Sequence, residues 1–186
     1  MREHTQKRTF RLQLTPKVAE CISRHKASLQ DILFALFQDS QCAKASQVVI
    51  TTSSRDDETW LSIADDGEEI FASHESGLFK NKRAGKDTYL IQSPRQQSIC
   101  NLWHRGAIVE SRRLSLTLAP ENFPVNRDVQ MESSIVERGT KISFPMLSGE
   151  ITELLRVIKC LATYSALPLV FNGSKFQQNH RALTQV

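Results

Sequence analysis

The sequence predicts an α+β protein: a two-layer α/β sandwich with a mainly antiparallel, mixed sheet and its helices on one face. Apolar residues recur at helical spacing before and after a central run of segments that alternate with a period of two, and these segments are joined by short polar turns. At 186 residues, against about 150 per domain, the chain reads as one domain. Its expected core spans residues 9–176 between a tail at 1–8 and a tail at 177–186. A domain of this size buries roughly 70 per cent of the surface its unfolded chain exposes, so disulfides or a structural metal are not required.

Thr9 to Leu14 alternates as a short strand and stops at Thr15-Pro16. Pro16 to about His25 carries Val18, Cys21 and Ile22 at helical spacing. A second helix is expected from about Ser28 to Lys44, with Leu29, Ile32, Leu33, Leu36 and Phe37 on one face and Ser28 with Asp31 as a capping-box signal. Gln47 to Thr52 and Thr59 to Ala64 read as a hairpin around the polar turn Ser53 to Glu58. From Glu68 to Arg95 the polarity predicts a long loop around short helical pieces, with a lid over about 73–95. Ser98 to His104 reads as a short helix. Strands follow at Ala107 to Ser111 and Leu114 to Leu118, and Gln130 to Val136 with Thr140 to Phe144 are expected as a further pair. Glu150 to about Ser165 is a helix, and Leu167 to Phe171 before Asn172-Gly173 is a terminal strand and hairpin turn.

Composition excludes several classes of function. With Lys+Arg 24 against Asp+Glu 20 the formal charge is +4, too small to indicate nucleic-acid binding. Cys21, Cys42, Cys100 and Cys160 form no CxxC pair, which removes local support for a zinc or thioredoxin-type site and leaves reduced thiols in a cytoplasmic protein. Met1 to Arg8 is polar and precedes no apolar stretch, so no secretory leader is expected. The densest apolar runs, Ile32 to Phe37 and Leu167 to Phe171, fall far short of the roughly 20 residues of a membrane span. No Gly-x-Ser-x-Gly elbow or P-loop occurs. His74 and His104 lack ligand partners at metal spacing, and Trp60 and Trp103 read as packing residues.

One constellation carries chemistry. A helix ends Ala35-Leu-Phe-Gln-Asp39-Ser-Gln-Cys42-Ala43-Lys-Ala45, a strand runs Val48 to Ile50, a second strand ends Ile63-Ala-Asp65-Asp66-Gly67, and Arg138-Gly139-Thr140 follows later. In that order these pieces resemble the ATP-binding fold shared by gyrase, the large heat-shock chaperone, histidine kinases and MutL, the Bergerat or GHKL fold, over roughly Phe10 to Gly173. The resemblance implies that Asp65 accepts a hydrogen bond from the adenine amino group, that Gly67 lets the backbone approach the base, and that Thr140 after Gly139 helps order a base-side water. It places Asp39 where the family has an Mg²⁺-holding asparagine, and Cys42, as a small buried residue, where the family has an aspartate.

The chain departs from the family in its phosphate half. Ala35 replaces the glutamate that activates water, and general-base catalysis is typically worth roughly 10²- to 10⁴-fold in rate. Asp31, one turn earlier, is the remaining candidate base. Glu69 replaces the second glycine of the Asp-x-Gly-x-Gly pattern, while Lys80, Lys82, Arg83, Lys86 and Arg105 supply charge for phosphate contact. The resemblance therefore implies ATP or ADP binding, with Mg²⁺ at Asp39 and slow or absent hydrolysis, in a nucleotide-gated module that meets a protein partner or a second copy. The alternative is a pseudo-ATPase scaffold that binds a partner without nucleotide.

Overall fold

The computed structural model describes residues 8–13, 20, 27–70, 88–90, 98, 101–120 and 128–176. In chain order these form β1 (Arg8–Gln13), α1 (Leu29–Cys42), β2 (Val48–Arg55), β3 (Glu58–Asp65), β4 (Thr88–Leu90), β5 (Ala107–Ser111), β6 (Leu114–Leu118), β7 (Asp128–Ser133), β8 (Thr140–Pro145), α2 (Glu150–Tyr164), β9 (Leu169–Phe171) and β10 (Ser174–Phe176). The ten strands make a single sheet in the order β10-β9-β2-β3-β8-β5-β6-β7-β1-β4. Its pairings are antiparallel except β1 with β4 and β2 with β9. The fold is an α+β sandwich, as the alternation predicts.

Register explains why one face is apolar. Ile50, Ile63, Ile142, Val109, Leu116 and Met131 lie opposite one another across successive strands and all are buried. They share one core with Leu29, Leu33, Leu36 and Phe37 of α1 and Leu154, Val157, Ile158 and Leu161 of α2. Because strand side chains alternate, the intervening residues face the other way and are more polar. There Ser62 and Ser143 share a hydrogen bond at 2.8 Å, and Glu110 accepts from Ser134 and pairs with Lys141.

The ends of α1 follow the sequence signals. Ser28 and Asp31 form a reciprocal capping box, which satisfies backbone donors left open at a helix start. The β2–β3 connection is tighter than the sequence predicts: the strands run on to Arg55 and from Glu58, with only Asp56 and Asp57 between them, at φ 48° and 64°. Arg112 and Arg113, and Asn172 and Gly173, also have positive φ in two-residue turns. That geometry matches the right-handed twist of paired strands. Asn172-Gly173 announces it, whereas the Asp-Asp and Arg-Arg turns lack the usual glycine.

Several expectations change. β7 and β8 do not pair with each other: β7 lies between β6 and β1, and β8 between β3 and β5. Thr88–Leu90, inside the expected loop, is a strand beside β1; of the expected Ser98 to His104 helix, Ser98 is helical, residues 99–100 lie outside the described residues, and Trp103–Arg105 form a 3-10 turn. Trp103 is buried and donates to Ala119 O at 2.8 Å, while Trp60 is half-buried with the Arg55 guanidinium 5.0 Å from its ring centre. Cys42 is exposed, not buried. Apart from Glu20 the Pro16 to His25 helix lies outside the described residues, as do Lys80, Lys82, Arg83, Lys86 and most of the expected lid. Among the described residues no helix is long and apolar enough to cross a membrane.

Candidate functional site

At one end of the helix-facing side, the apolar rows give way to a polar one. Asp65 stands opposite Thr140, and Thr140 opposite Ser111. The side chains of Thr140 and Ser111 are buried. Above this row the C-terminal half of α1 brings down Leu36, Asp39 and Ser40, and Ile70 closes the far side. Together with Ile63, Asp65, Thr140 and Ile142 they line a small recess of about 10 Å³, room for about one water molecule. Complete small-ligand sites measure roughly 300 to 1,000 Å³, so the recess is a polar notch that one edge of a ligand could meet and not a pocket that encloses one.

Asp65 is held rigidly. Its Oδ2 accepts from Ser40 Oγ at 2.9 Å and its Oδ1 from the Gly67 N–H at 2.9 Å. Each carboxylate oxygen has two acceptor sites, so the group can take a further donor. Ser40 is buried on α1 and its hydroxyl also lies 3.1 Å from Leu36 O. Spacing gave no reason to single out Ser40, because a serine on a helix has no signature until tertiary packing sets it against an aspartate.

Thr140 presents a different situation. It is 4 % exposed, and its Oγ1 is buried with no hydrogen-bond partner among the described residues. Buried hydroxyls are normally satisfied, and an unsatisfied one costs about 1 to 3 kcal/mol. The orphan lines the same recess as Asp65, adjacent to it across β3 and β8.

Glycine positions are fixed by backbone proximity. A Cβ at Gly139 would lie 1.9 Å from Asp65 O, and its φ of 73° is itself unfavourable for other residues. At Gly67 a Cβ would lie 2.6 Å from Ala43 O. Its closeness is to the corner after α1, and it is not among the residues lining the recess. Asp66 secures the same corner, accepting from the backbone of Ser46 at 2.7 Å, from the Ser46 hydroxyl and from Gln47 N at 3.3 Å. The Ser46 hydroxyl bond holds the Asp66 carboxyl below its ordinary 3.8.

The phosphate-side expectations separate. Asp39 is half-buried at the recess. Asp31 is exposed, bonded to Ser28, and with Ala35 lines a groove of about 490 Å³ on the other side of α1. Asp31 is thus a cap away from the recess. Arg105, expected to be a source of positive charge for phosphate, is removed from that role. Its side chain is 5 % exposed and its two terminal nitrogens each donate at 2.7 Å to Glu150, whose side chain is 12 % exposed. One of them also donates to Ala27 O at 3.1 Å. Among the described residues no group of three His, Cys, Asp or Glu side chains could hold a metal ion. Asp39 is the single recess carboxylate besides Asp65 among the described residues.

Comparison with protein-family models and with curated proteins returns no match to this chain.

Proposed function

We propose that the recess is the base end of an adenine-nucleotide site in a GHKL-like domain. The observation that carries the reading is the orphaned Thr140 hydroxyl on the same cross-strand row as the doubly anchored Asp65 carboxylate. An adenine edge offers a donor, its exocyclic amine, beside a ring-nitrogen acceptor. Asp65 accepts from the amine, and Thr140 donates to the ring nitrogen directly or through a water. Ser40 and Gly67 hold Asp65 in place. Asp39 with Mg²⁺ meets the phosphates, and Ala35 leaves hydrolysis without its general base, so the nucleotide acts as a bound ligand more than as a substrate. Lys86 remains a candidate phosphate contact on the strength of the resemblance alone.

Inosine triphosphate tests this assignment, because it replaces the amine by a carbonyl that would face the Asp65 carboxylate. Calorimetric titration is expected to show ATP preferred by about 100-fold or more, since a mismatched partner leaves a buried polar group unpaired. Asp65→Asn, which supplies an amide donor, is expected to lose that preference. Equal affinity for the two nucleotides, or unchanged ATP binding in Asp65→Asn, would refute the reading.

A second reading, a scaffold that captures a protein partner without nucleotide, draws on the groove between α1 and α2. It exceeds the recess in volume and is lined by the exposed aromatic residues Phe34 and Tyr164. Under that reading neither triphosphate binds.

A further inference from the structure

We infer that Ser111 is a positioning residue for the recess, setting the distance between its Thr140 wall and its Ile70 wall; this rests on the adenine reading for its effect on ligand choice. Ser111 is 0 % exposed at the end of β5. Its Oγ donates to Gly139 O at 2.7 Å and accepts from the Ile70 N–H at 3.1 Å. One hydroxyl therefore joins the residue before Thr140 to the far wall of the recess.

The remaining anchors of the 66–70 segment explain why this link is decisive. Asp66 is bonded to Ser46 and Gln47, Gly67 N to Asp65, and Glu68 N to Ala43 O at 2.7 Å. All of these tie the segment to the α1–β2 corner and the end of β3. Ser111 pulls Ile70 toward β5 and β8 instead, supported on the exposed side by an Arg112–Glu69 ion pair at 3.8 Å. At its other bond Ser111 holds Gly139, whose missing side chain lets β8 begin directly against the Asp65 carbonyl. The position of the Thr140 hydroxyl relative to Asp65 thus depends on the same side chain that holds Ile70. A hydroxyl is required because the position must donate to a carbonyl and accept from an amide at once, and alanine, valine and leucine do neither.

The test uses the full chain, Ser111→Ala and two readouts. Amide hydrogen exchange is expected to show the Ile70 N–H protected in the wild type and released in the variant, while β2 and β3 amides stay protected. Binding is expected to show the ATP preference over inosine triphosphate reduced by about tenfold, as a less well-defined site discriminates less. Retained Ile70 protection overturns the inference. So does a uniform loss of affinity for both nucleotides with the preference intact, which is what general loosening would produce. If Ser111→Ala does not fold, Ser111→Cys, which keeps the shape at a slightly larger volume and weakens both bonds, takes its place in the same two measurements. A wild type that prefers neither nucleotide sinks the adenine reading, while exchange at Ile70 still decides whether Ser111 positions the wall.

Discussion

Replacing Thr140 by valine removes a buried hydroxyl that has no partner among the described residues and leaves a side chain of similar shape. Chemical denaturation should therefore find Thr140→Val as stable as the wild type or more stable by about 1 kcal/mol, even as adenine binding weakens. A clear loss of stability would mean that the hydroxyl is satisfied in the folded chain. Gly139→Ala should behave oppositely: its Cβ would meet the Asp65 carbonyl at 1.9 Å in a backbone with φ of 73°, and a loss of about 3 kcal/mol or more is expected. Gly149→Ala, where a Cβ meets nothing within 4 Å, should change the same denaturation midpoint little. Asp65, Gly139 and Thr140 stand out in the sequence through the GHKL resemblance, which a strand ending in Asp-Asp-Gly and a later Gly-Thr carry. Ser40 and Ser111 were not. Their chemistry exists only once register and helix packing bring them to Asp65, Gly139 and Ile70, and single serines on a helix and a strand give no warning of it.

The individual elements were easier to read than their pairing. The spacing of Leu29, Ile32, Leu33, Leu36 and Phe37 and the Ser28–Asp31 box define α1, and alternation finds β5, β6 and β8. The nearness of β7 and β8 in the chain suggested a hairpin, yet the sheet separates them by β5 and β6, because which apolar edges meet is decided across the whole sheet. Arg105 was misread for a related reason: a basic residue looks solvated until its buried carboxylate is known. Burial pushes the Glu150 carboxyl up, but the Arg105 hydrogen bonds, the Leu147 N–H and the Arg105 charge outweigh it and leave it below its ordinary 4.5. A lowered carboxylate stabilises the fold above its unfolded value, so this contribution is present above pH 4.5 and lost as pH falls through the lowered value. Arg105→Met should cost about 3 to 5 kcal/mol by leaving the carboxylate buried and unpaired. Its dependence on Glu150 should also reverse, so that acidification relieves part of the loss. Denaturation midpoints across the acid range check both, and an Arg105→Met/Glu150→Leu double variant should recover most of the stability.

At the scale of the whole molecule, the sheet supplies a rigid floor, α1 and β3 deliver Ser40 and Asp65 to the same point, and the Gly139 approach sets Thr140 beside them. Asp66 serves the corner and not the recess, so Asp66→Ala should lower stability by about 1 kcal/mol while leaving the ATP preference unchanged in a binding titration. The central claim is that the recess reads adenine, and the most direct test is thermal unfolding of the wild type and Asp65→Asn with ATP, ADP and GTP, with and without Mg²⁺. At 100 times the dissociation constant a ligand stabilises by about 2.7 kcal/mol, which for a chain of this length raises the midpoint by roughly 5 to 10 °C. The account predicts such a rise for ATP and ADP, a smaller one for GTP, a contribution from Mg²⁺ with ATP, and no rise in Asp65→Asn. A wild-type midpoint unmoved by millimolar adenine nucleotide, or moved equally by GTP, would contradict it.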